Sequence, residues 1–166
     1  MTNEDKEYHG YIPEKIIFKI MRDVLRGMNE LHKKNIVHLD IKPENILIGK
    51  SGKYKIADLG MARFLLKISE ADNIPEGDCR YLSKELLSKE VLNNIPDLKK
   101  SDIFSLGMTA YELISLVELS KNGAEWRSLR DGENKFSVEI QELYSPQLLD
   151  TIRMMLSPNT DDRPSV

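Results

Sequence analysis

The stretch His38–Asn45 constrains the fold of this chain more than any other part of the sequence. Two short apolar runs flank it, Ile36–Val37 on one side and Ile46–Ile48 on the other. Both runs are rich in β-branched residues and too short for a helix, so the pattern predicts two strands. The polar stretch between them is therefore predicted to be a loop held at both ends by strands.

Three side chains of this loop suit chemistry at a phosphate. The carboxylate of Asp40 can accept a proton from a hydroxyl, and the ammonium of Lys42 can neutralise a phosphate oxygen. Asn45 offers a neutral oxygen to a hard cation such as Mg²⁺, while Pro43 removes a backbone donor and stiffens the turn. The same residues would also suit an ordinary surface turn with solvated charges.

A second acidic motif follows one predicted hairpin later. Ser51–Gly52 predicts the turn of that hairpin, and Tyr54–Ala57 predicts its returning strand. Asp58 comes next, in the tripeptide Asp58–Gly60, where its carboxylate can hold Mg²⁺. Chance often supplies such a tripeptide, but its place one hairpin after the loop makes the pair of motifs specific.

Three segments predict helices, so the predicted fold is mainly α. Over Glu14–Lys34, apolar residues recur at intervals of three and four and form one buried stripe. Ser101 is the expected N-cap of a second helix, whose apolar residues cover most of its circumference. Pro146–Leu156 is the third helix. Asn122–Gly132, which contains the only tryptophan, Trp126, predicts a loop.

Two further features indicate close packing and a long loop. Gly27 lies inside the first predicted helix, where glycine costs about 1 kcal/mol relative to alanine, so another part of the chain is expected to pack closely there. Farther on, an acidic loop is predicted that contains Glu70, Asp72, Pro75, Glu76, Gly77 and Asp78. Loops of this length are uncommon in compact domains and are usually functional.

Composition favours a single intracellular domain and excludes several classes of protein. The 166 residues carry a formal net charge of −3, which argues against a nucleic-acid partner. The single cysteine, Cys79, cannot form an internal disulfide, so a reducing compartment is expected, the nucleus or the cytoplasm. No apolar run approaches the roughly 20 residues of a membrane span, and the acidic N-terminus is no signal peptide. We expect a loose segment over residues 1–12 and one domain over residues 13–166, and nothing in the sequence indicates an oligomeric state.

Together these motifs resemble the larger, C-terminal lobe of the eukaryotic protein kinases. His38–Asn45 resembles the catalytic loop H-R-D-x-x-x-x-N, with Leu39 in place of the arginine, and Asp58–Gly60 resembles D-F-G with leucine for phenylalanine. Asp102–Gly107 resembles the D-x-x-S-x-G helix, whose aspartate supports the backbone of the catalytic loop in that family. The resemblance covers residues 13–164 and implies a mainly α, protein-kinase-like C-terminal lobe with two short β-hairpin strand pairs, without the N-terminal lobe.

The resemblance also implies one pairing between residues that are far apart in sequence. Glu85 matches the glutamate of the A-P-E motif, although Ser83 and Lys84 replace its alanine and proline. Arg163 matches the arginine of the late D-x-R-P motif. These two residues pair in the family, so the resemblance implies the same contact here.

Within the protein kinases, the chain is most similar to the Wee-type cell-cycle inhibitory kinases, and the Wee and Myt branches fit almost equally. Glu76–Leu82 and Asn122–Gly132 carry this similarity, together with an apolar residue, Leu39, at the arginine position. The usual arginine binds a phosphate on the activation loop, which leucine cannot do. The loop between Asp58 and Glu85 is therefore expected not to need phosphorylation through this contact.

The resemblance implies a role for each candidate residue. Asp40 is the catalytic base and Lys42 stabilises the transferring phosphoryl group of ATP. Asn45 and Asp58 hold Mg²⁺. The implied reaction transfers the γ-phosphoryl group to a protein hydroxyl, a tyrosine of a cyclin-dependent kinase, and so restrains the onset of mitosis, although Lys42 and Pro43 follow the serine/threonine style of loop.

The parts expected of the smaller, N-terminal lobe are missing from this sequence. The nine glycines form no G-x-G, no V-A-I-K strand lysine precedes the first predicted helix, and only residues 1–12 stand ahead of it. Two alternatives to a partial domain of a Wee-type kinase therefore stay open. One is a non-catalytic module that binds a partner through the acidic loop and the Trp126 region, and the other is a piece of a longer protein whose remaining lobe lies upstream.

Overall fold

The computed structural model describes residues 10–65, 77–87 and 98–166 of the chain. Its helices are α1 (Glu14–Lys33), α2 (Lys84–Leu87), α3 (Leu98–Ser115), α4 (Ala124–Arg130), α5 (Val138–Leu143) and α6 (Pro146–Met155). Its strands are β1 (Ile36–Val37), β2 (Ile46–Ile48), β3 (Tyr54–Ile56) and β4 (Arg63–Phe64), and single 3-10 turns cover Pro43–Asn45 and Thr160–Asp162. The mainly α fold predicted from the sequence is confirmed.

Helix α1 buries the apolar stripe that its sequence predicts. Its fully buried apolar residues are Ile17, Val24 and Met28. The helix ends at Lys33, and Asn35 follows with a φ of 55°, the left-handed conformation that is common just after a helix. A methyl group on Gly27 would lie 3.0 Å from Cδ1 of Ile56, so the close packing predicted at this glycine is confirmed.

Helix α3 runs through the middle of the domain and packs against both α1 and α6. Ser101 lies inside this helix, beyond Leu98, so its prediction as an N-cap is wrong. Its hydroxyl instead donates a hydrogen bond of 2.9 Å to Oε1 of Glu85, a tertiary contact that residue type alone does not predict. Gly107 permits the close approach of α3 and α6, because a methyl group on this glycine would lie 2.9 Å from Cβ of Met155 on α6.

Two small antiparallel sheets frame the loop His38–Asn45. Strands β2 and β3 form a hairpin, in which Ile46 lies opposite Ile56. Strand β1 pairs with β4, which follows the hairpin in sequence, so that Val37 lies opposite Arg63. Both predicted strand pairs are present. The pair β2–β3 is a hairpin, whereas β1 and β4 are separated in sequence by that hairpin.

The prediction of a loop over Asn122–Gly132 is wrong, since α4 occupies most of this stretch. Gly123 directly precedes the helix with a φ of 99°, so this glycine marks the helix start. The helix has only 7 residues, too few to be stable in isolation. Its stability therefore comes from tertiary contacts, above all those of the buried residues Leu129 and Arg130.

Some sequence-based predictions concern residues outside the described ranges. These are residues 1–9 of the loose segment predicted over residues 1–12, and most of the acidic loop, including Glu70, Asp72 and Glu76. Ile12 lies within the described part, where its carbonyl oxygen accepts a hydrogen bond of 2.9 Å from the hydroxyl of Tyr144. Among the described helices, none combines the length and the apolar character needed to cross a membrane.

Candidate active site

Asp102, on α3, fixes the backbone of the loop His38–Asn45. Its carboxylate is fully buried and accepts hydrogen bonds from the amide of Leu39 at 2.8 Å and from the amide of His38 at 2.9 Å. Nε2 of His32 donates a third hydrogen bond of 2.8 Å. A buried carboxylate needs such donors, and the bonds hold Leu39 at a φ of 63°, a conformation that leucine rarely adopts. The backbone support that the resemblance implied for Asp102 is confirmed.

The side chains of Asp40, Lys42 and Asn45 lie together in this loop. The 3-10 turn Pro43–Asn45 brings Asn45 back toward Asp40, where Nδ2 donates to both the carbonyl oxygen and Oδ2, each at 2.8 Å. Nζ of Lys42 lies 3.0 Å from the same Oδ2. In the described part of the chain, these contacts reach only one side-chain oxygen of Asp40. No hydrogen bond within the described residues reaches its Oδ1, and the side chain is 9% exposed.

Backbone hydrogen bonds of Ala57 place Asp58 beside the loop. The amide of Ala57 donates to the carbonyl oxygen of Asn45 at 2.8 Å, and its carbonyl oxygen lies 3.1 Å from Nε2 of His38. Asp58 follows with a φ of 60°, and its Oδ1 accepts a hydrogen bond of 3.0 Å from the amide of Gly60. Asp58 is exposed, so its carboxylate is oriented and remains open to solvent.

The donor atoms at this site fit a Mg²⁺ ion that is bound together with phosphate groups. Asp58 offers a carboxylate, and Asn45 keeps its amide oxygen because its Nδ2 makes the hydrogen bonds to Asp40. Mg²⁺ usually takes one or two protein carboxylates and completes its shell with phosphates and water. Within the described ranges, no three His, Cys, Asp or Glu side chains gather as a metal site, so phosphates and water would have to supply further ligands.

A second segment, Gly77–Leu82, lies against the loop, and we call it the anchored segment. The side chain of Arg80 forms ion pairs with Asp78, where Nη2 and Oδ2 are 2.6 Å apart, and with Glu44 of the loop at 3.3 Å. The hydrogen bonds from Arg80 hold the pKa of Asp78 below its usual value. The sequence analysis gave Arg80 no role of its own, although it lies in the stretch Glu76–Leu82, because its partner Glu44 is 36 residues away in sequence.

Leu39 belongs to an apolar cluster that brings together Leu65, which follows Asp58, and Leu86, which directly follows Glu85. The cluster consists of the buried residues Val37, Leu39 and Leu98, with the partly buried Leu65 and Leu86 packed against them. Apolar contacts therefore occupy the place where the arginine of the family would bind a phosphate. The carbonyl oxygen of Leu39 would lie 2.8 Å from a methyl group on Gly77, so the anchored segment needs a glycine there.

Glu85 and Arg163 form a bidentate ion pair, which confirms the contact that the resemblance implied. Nη1 of Arg163 lies 2.5 Å from Oε1 of Glu85, and Nη2 lies 3.1 Å from Oε2. The side chains are 0% exposed for Arg163 and 12% exposed for Glu85, so the pair is largely buried. Burial acts to raise the pKa of Glu85, but the hydrogen bonds and the charge of Arg163 outweigh it, and the pKa is lowered.

This fold and this site define a lobe of the protein-kinase class. A loop with an aspartate, a lysine and an asparagine lies between short strands, and a buried aspartate of the central helix holds its backbone. The chain belongs to the protein kinase domain family, which matches residues 2–166.

Its relatives include Wee-type kinases. The chain is 36% identical over 163 residues to the membrane-associated tyrosine- and threonine-specific cdc2-inhibitory kinase of Drosophila melanogaster, a match that covers 93% of this chain and 27% of that protein. It is 40% identical over 117 residues to the mitosis inhibitor protein kinase wee1 of Schizosaccharomyces pombe, a match that covers 70% of this chain and 12% of that protein. A probable protein kinase of Dictyostelium discoideum is 37% identical over 154 residues, and this match covers 93% of this chain and 41% of that protein. The chain thus spans less than half the length of each of these relatives.

Proposed function

We propose that this chain is the substrate-side lobe of a Wee-type protein kinase that transfers the γ-phosphoryl group of ATP to a tyrosine of a cyclin-dependent kinase. The geometry of Asp40 carries this proposal. Asn45 and Lys42 hold its Oδ2, and its Oδ1 has no hydrogen-bond partner among the described residues. A carboxylate oriented in this way can take the proton of a tyrosine hydroxyl as the hydroxyl oxygen attacks the γ-phosphorus and the bond to ADP breaks.

Three further residues support the same reaction. The ammonium of Lys42 is 3.0 Å from Asp40, so its charge lies where a phosphoryl group would meet the attacking hydroxyl. Asn45 and Asp58 would hold Mg²⁺, which neutralises the phosphate oxygens of ATP when it is bound.

The relatives support a protein substrate that controls the cell cycle. The Drosophila melanogaster relative is described as inhibiting cdc2 with specificity for tyrosine and threonine, and the Schizosaccharomyces pombe relative as a mitosis inhibitor. We infer that this chain takes part in restraining the onset of mitosis and acts inside the cell, in the nucleus or the cytoplasm.

Phosphorylation of a cyclin-dependent kinase peptide tests the proposal. The chain is joined to the N-terminal lobe of a Wee-type relative and incubated with Mg-ATP and a peptide that presents a single tyrosine. We expect mass spectrometry to find phosphate on that tyrosine, and none on a matched peptide with phenylalanine. Transfer only to serine or threonine would contradict the tyrosine assignment, and no transfer to any hydroxyl would favour a non-catalytic binding module.

The 166 residues on their own are expected to bind Mg-ATP weakly, with a Kd above about 1 mM. Their sequence lacks the Gly-rich loop and the strand lysine that supply much of the phosphate contact in kinases. Isothermal titration with Mg-ATP measures the affinity. Micromolar binding that is lost in Asp58→Asn would contradict this prediction and would mean that the lobe alone forms a nucleotide site.

A further inference from the structure

Arg130, on α4, is a buried charged residue. The residue is 2% exposed, and no ion pair joins it to an acidic side chain in the part of the chain that the structure describes. Burial lowers its pKa to about 10, so the guanidinium still carries its charge at neutral pH. A buried charge must be compensated by hydrogen bonds, and backbone oxygens provide them here.

The guanidinium of Arg130 donates hydrogen bonds to four backbone carbonyl oxygens. Nη2 donates to Cys79 at 2.7 Å and to Arg80 at 3.0 Å, and Nε donates to Leu82 at 2.9 Å. Nη1 donates to Trp126, on the same helix, at 3.0 Å. Three of the four acceptors belong to the anchored segment. Hydrogen bonds from an ionised donor are stronger than neutral ones, so this side chain binds the segment firmly.

Trp126 adds to the same contact. Its Nε1 donates a hydrogen bond of 2.9 Å to the carbonyl oxygen of Cys79, which also accepts from Arg130. The guanidinium of Arg130 lies over the indole ring, 3.9 Å from the ring centre, which is a cation–π geometry. The two residues are about one helical turn apart, so α4 presents both to the anchored segment.

The anchored segment is held against the loop His38–Asn45 by a different set of contacts. The side chain of Arg80 reaches Glu44 of the loop, and Gly77 lies close to the carbonyl oxygen of Leu39. The carbonyl oxygens of Cys79, Arg80 and Leu82 therefore face α4, while the side chain of Arg80 and Gly77 contact the loop. The segment connects α4 to the candidate active site.

We propose that Trp126 and Arg130 are positioning residues that fix the anchored segment beside the loop of Asp40, in the conformation that receives the peptide substrate. This contact needs no phosphate group on the anchored segment, because its donors are an indole and a guanidinium and its acceptors are backbone carbonyl oxygens. The contact joins the anchored segment to α4, and these lie in the two stretches most similar to Wee-type kinases, Glu76–Leu82 and Asn122–Gly132. The role toward a substrate rests on the proposed function, but the fixation of the segment does not.

Hydrogen exchange of the unextended chain tests the fixation. Trp126→Phe removes the indole donor and keeps an aromatic ring, and Arg130→Met removes the charge and keeps a long side chain. We expect amide exchange in the anchored segment to become about tenfold faster in each variant, and exchange in α1 to stay unchanged. Arg127→Met, at an exposed position of the same helix, is the matched control and should leave exchange in the segment unaltered.

Two results would overturn the fixation. One is exchange in the anchored segment that stays at the rate of the unaltered chain in both variants. The other is exchange that accelerates equally in the segment and in α1, because that reports a general loss of stability. Trp126 is the only tryptophan of the chain, so a shift of its fluorescence emission in Arg130→Met gives an independent signature of the lost stacking.

Peptide kinetics test the role toward substrate. In the extended kinase of the phosphorylation assay, both variants should raise the KM for peptide about tenfold and leave the KM for ATP unchanged. If amide exchange in the anchored segment becomes faster in both variants but the KM for peptide stays unaltered, the positioning role is overturned. Absence of phosphoryl transfer even in the unaltered extended chain would contradict the kinase proposal alone, since hydrogen exchange is measured without substrate.

Discussion

Replacing Asp40 with asparagine is expected to lower the rate of peptide phosphorylation about 100- to 10,000-fold, the range that a general base contributes. The asparagine keeps the size of the side chain, and its oxygen can still accept the hydrogen bond from Asn45. An amide, however, cannot take the proton of the attacking hydroxyl. The rate is measured with the chain joined to the N-terminal lobe of a Wee-type relative, at saturating Mg-ATP and peptide.

The matched control for this variant is Asp150→Asn. Asp150 is exposed on α6 and pairs with Arg153 on the same helix, so the same chemical change should leave the rate intact. Thermal melts of both variants, followed by circular dichroism, separate a loss of chemistry from a loss of fold. An unchanged rate in Asp40→Asn would remove Asp40 from the mechanism.

Replacing Arg163 with alanine is expected to lower the free energy of unfolding by about 3–5 kcal/mol, the cost of leaving a buried charge without its partner. Glu85 would lose both hydrogen bonds to the guanidinium. The carbonyl oxygens of Ser157 and Lys100 would lose donors as well, at 2.7 Å and 3.2 Å. Urea unfolding followed by fluorescence and circular dichroism measures the change.

Glu85→Ala should be similarly destabilising, and the double variant should cost less than the sum of the two single changes, because each removes the same interaction. Arg153→Ala is the control, since its pair with Asp150 is exposed at 42% and 64% and should change stability by less than about 1 kcal/mol. Small, additive effects at Glu85 and Arg163 would mean that the two residues do not meet in solution.

The same pair predicts how stability depends on pH. Burial opposes the charged form of Glu85, but Arg163 favours it more, so the pKa is lower in the folded state than in the unfolded state. The unfolded state therefore binds this proton first as the pH falls. The stabilisation is fully present above the unfolded pKa and is lost as the pH falls through the folded pKa. Melts over this acidic range should show a smaller loss in Glu85→Ala.

The sequence alone predicted the parts of this protein that depend on contacts between near neighbours. The apolar period of α1 and the short strands around His38–Asn45 are visible because residues a few positions apart determine them. Asp40, Lys42 and Asn45 share one loop, so their proximity follows from its short length. The contact between Glu85 and Arg163 was predictable only through the resemblance to a family, since nothing in either local sequence points to the other.

Predictions failed where the partner of a residue lies elsewhere in the chain. Ser101 is the right residue type for an N-cap, but it lies inside α3 and its hydroxyl donates to Glu85. No partner was predicted for strand β1, because its 2 residues are too few to specify that it pairs with β4 rather than with the nearer β2. Asn122–Gly132 has the composition of a loop, yet buried contacts of Leu129 and Arg130 stabilise a helix there.

Arg130 is the residue whose place depended most on the tertiary structure. From its type alone, an arginine on a short helix is expected at the surface, because arginine is mostly exposed in proteins. Its acceptors in the anchored segment precede it by 48 to 51 residues, so no local pattern in the sequence indicates them. A charge can be buried only where the fold gathers enough acceptors around it, and only the packing of α4 against the anchored segment meets that condition.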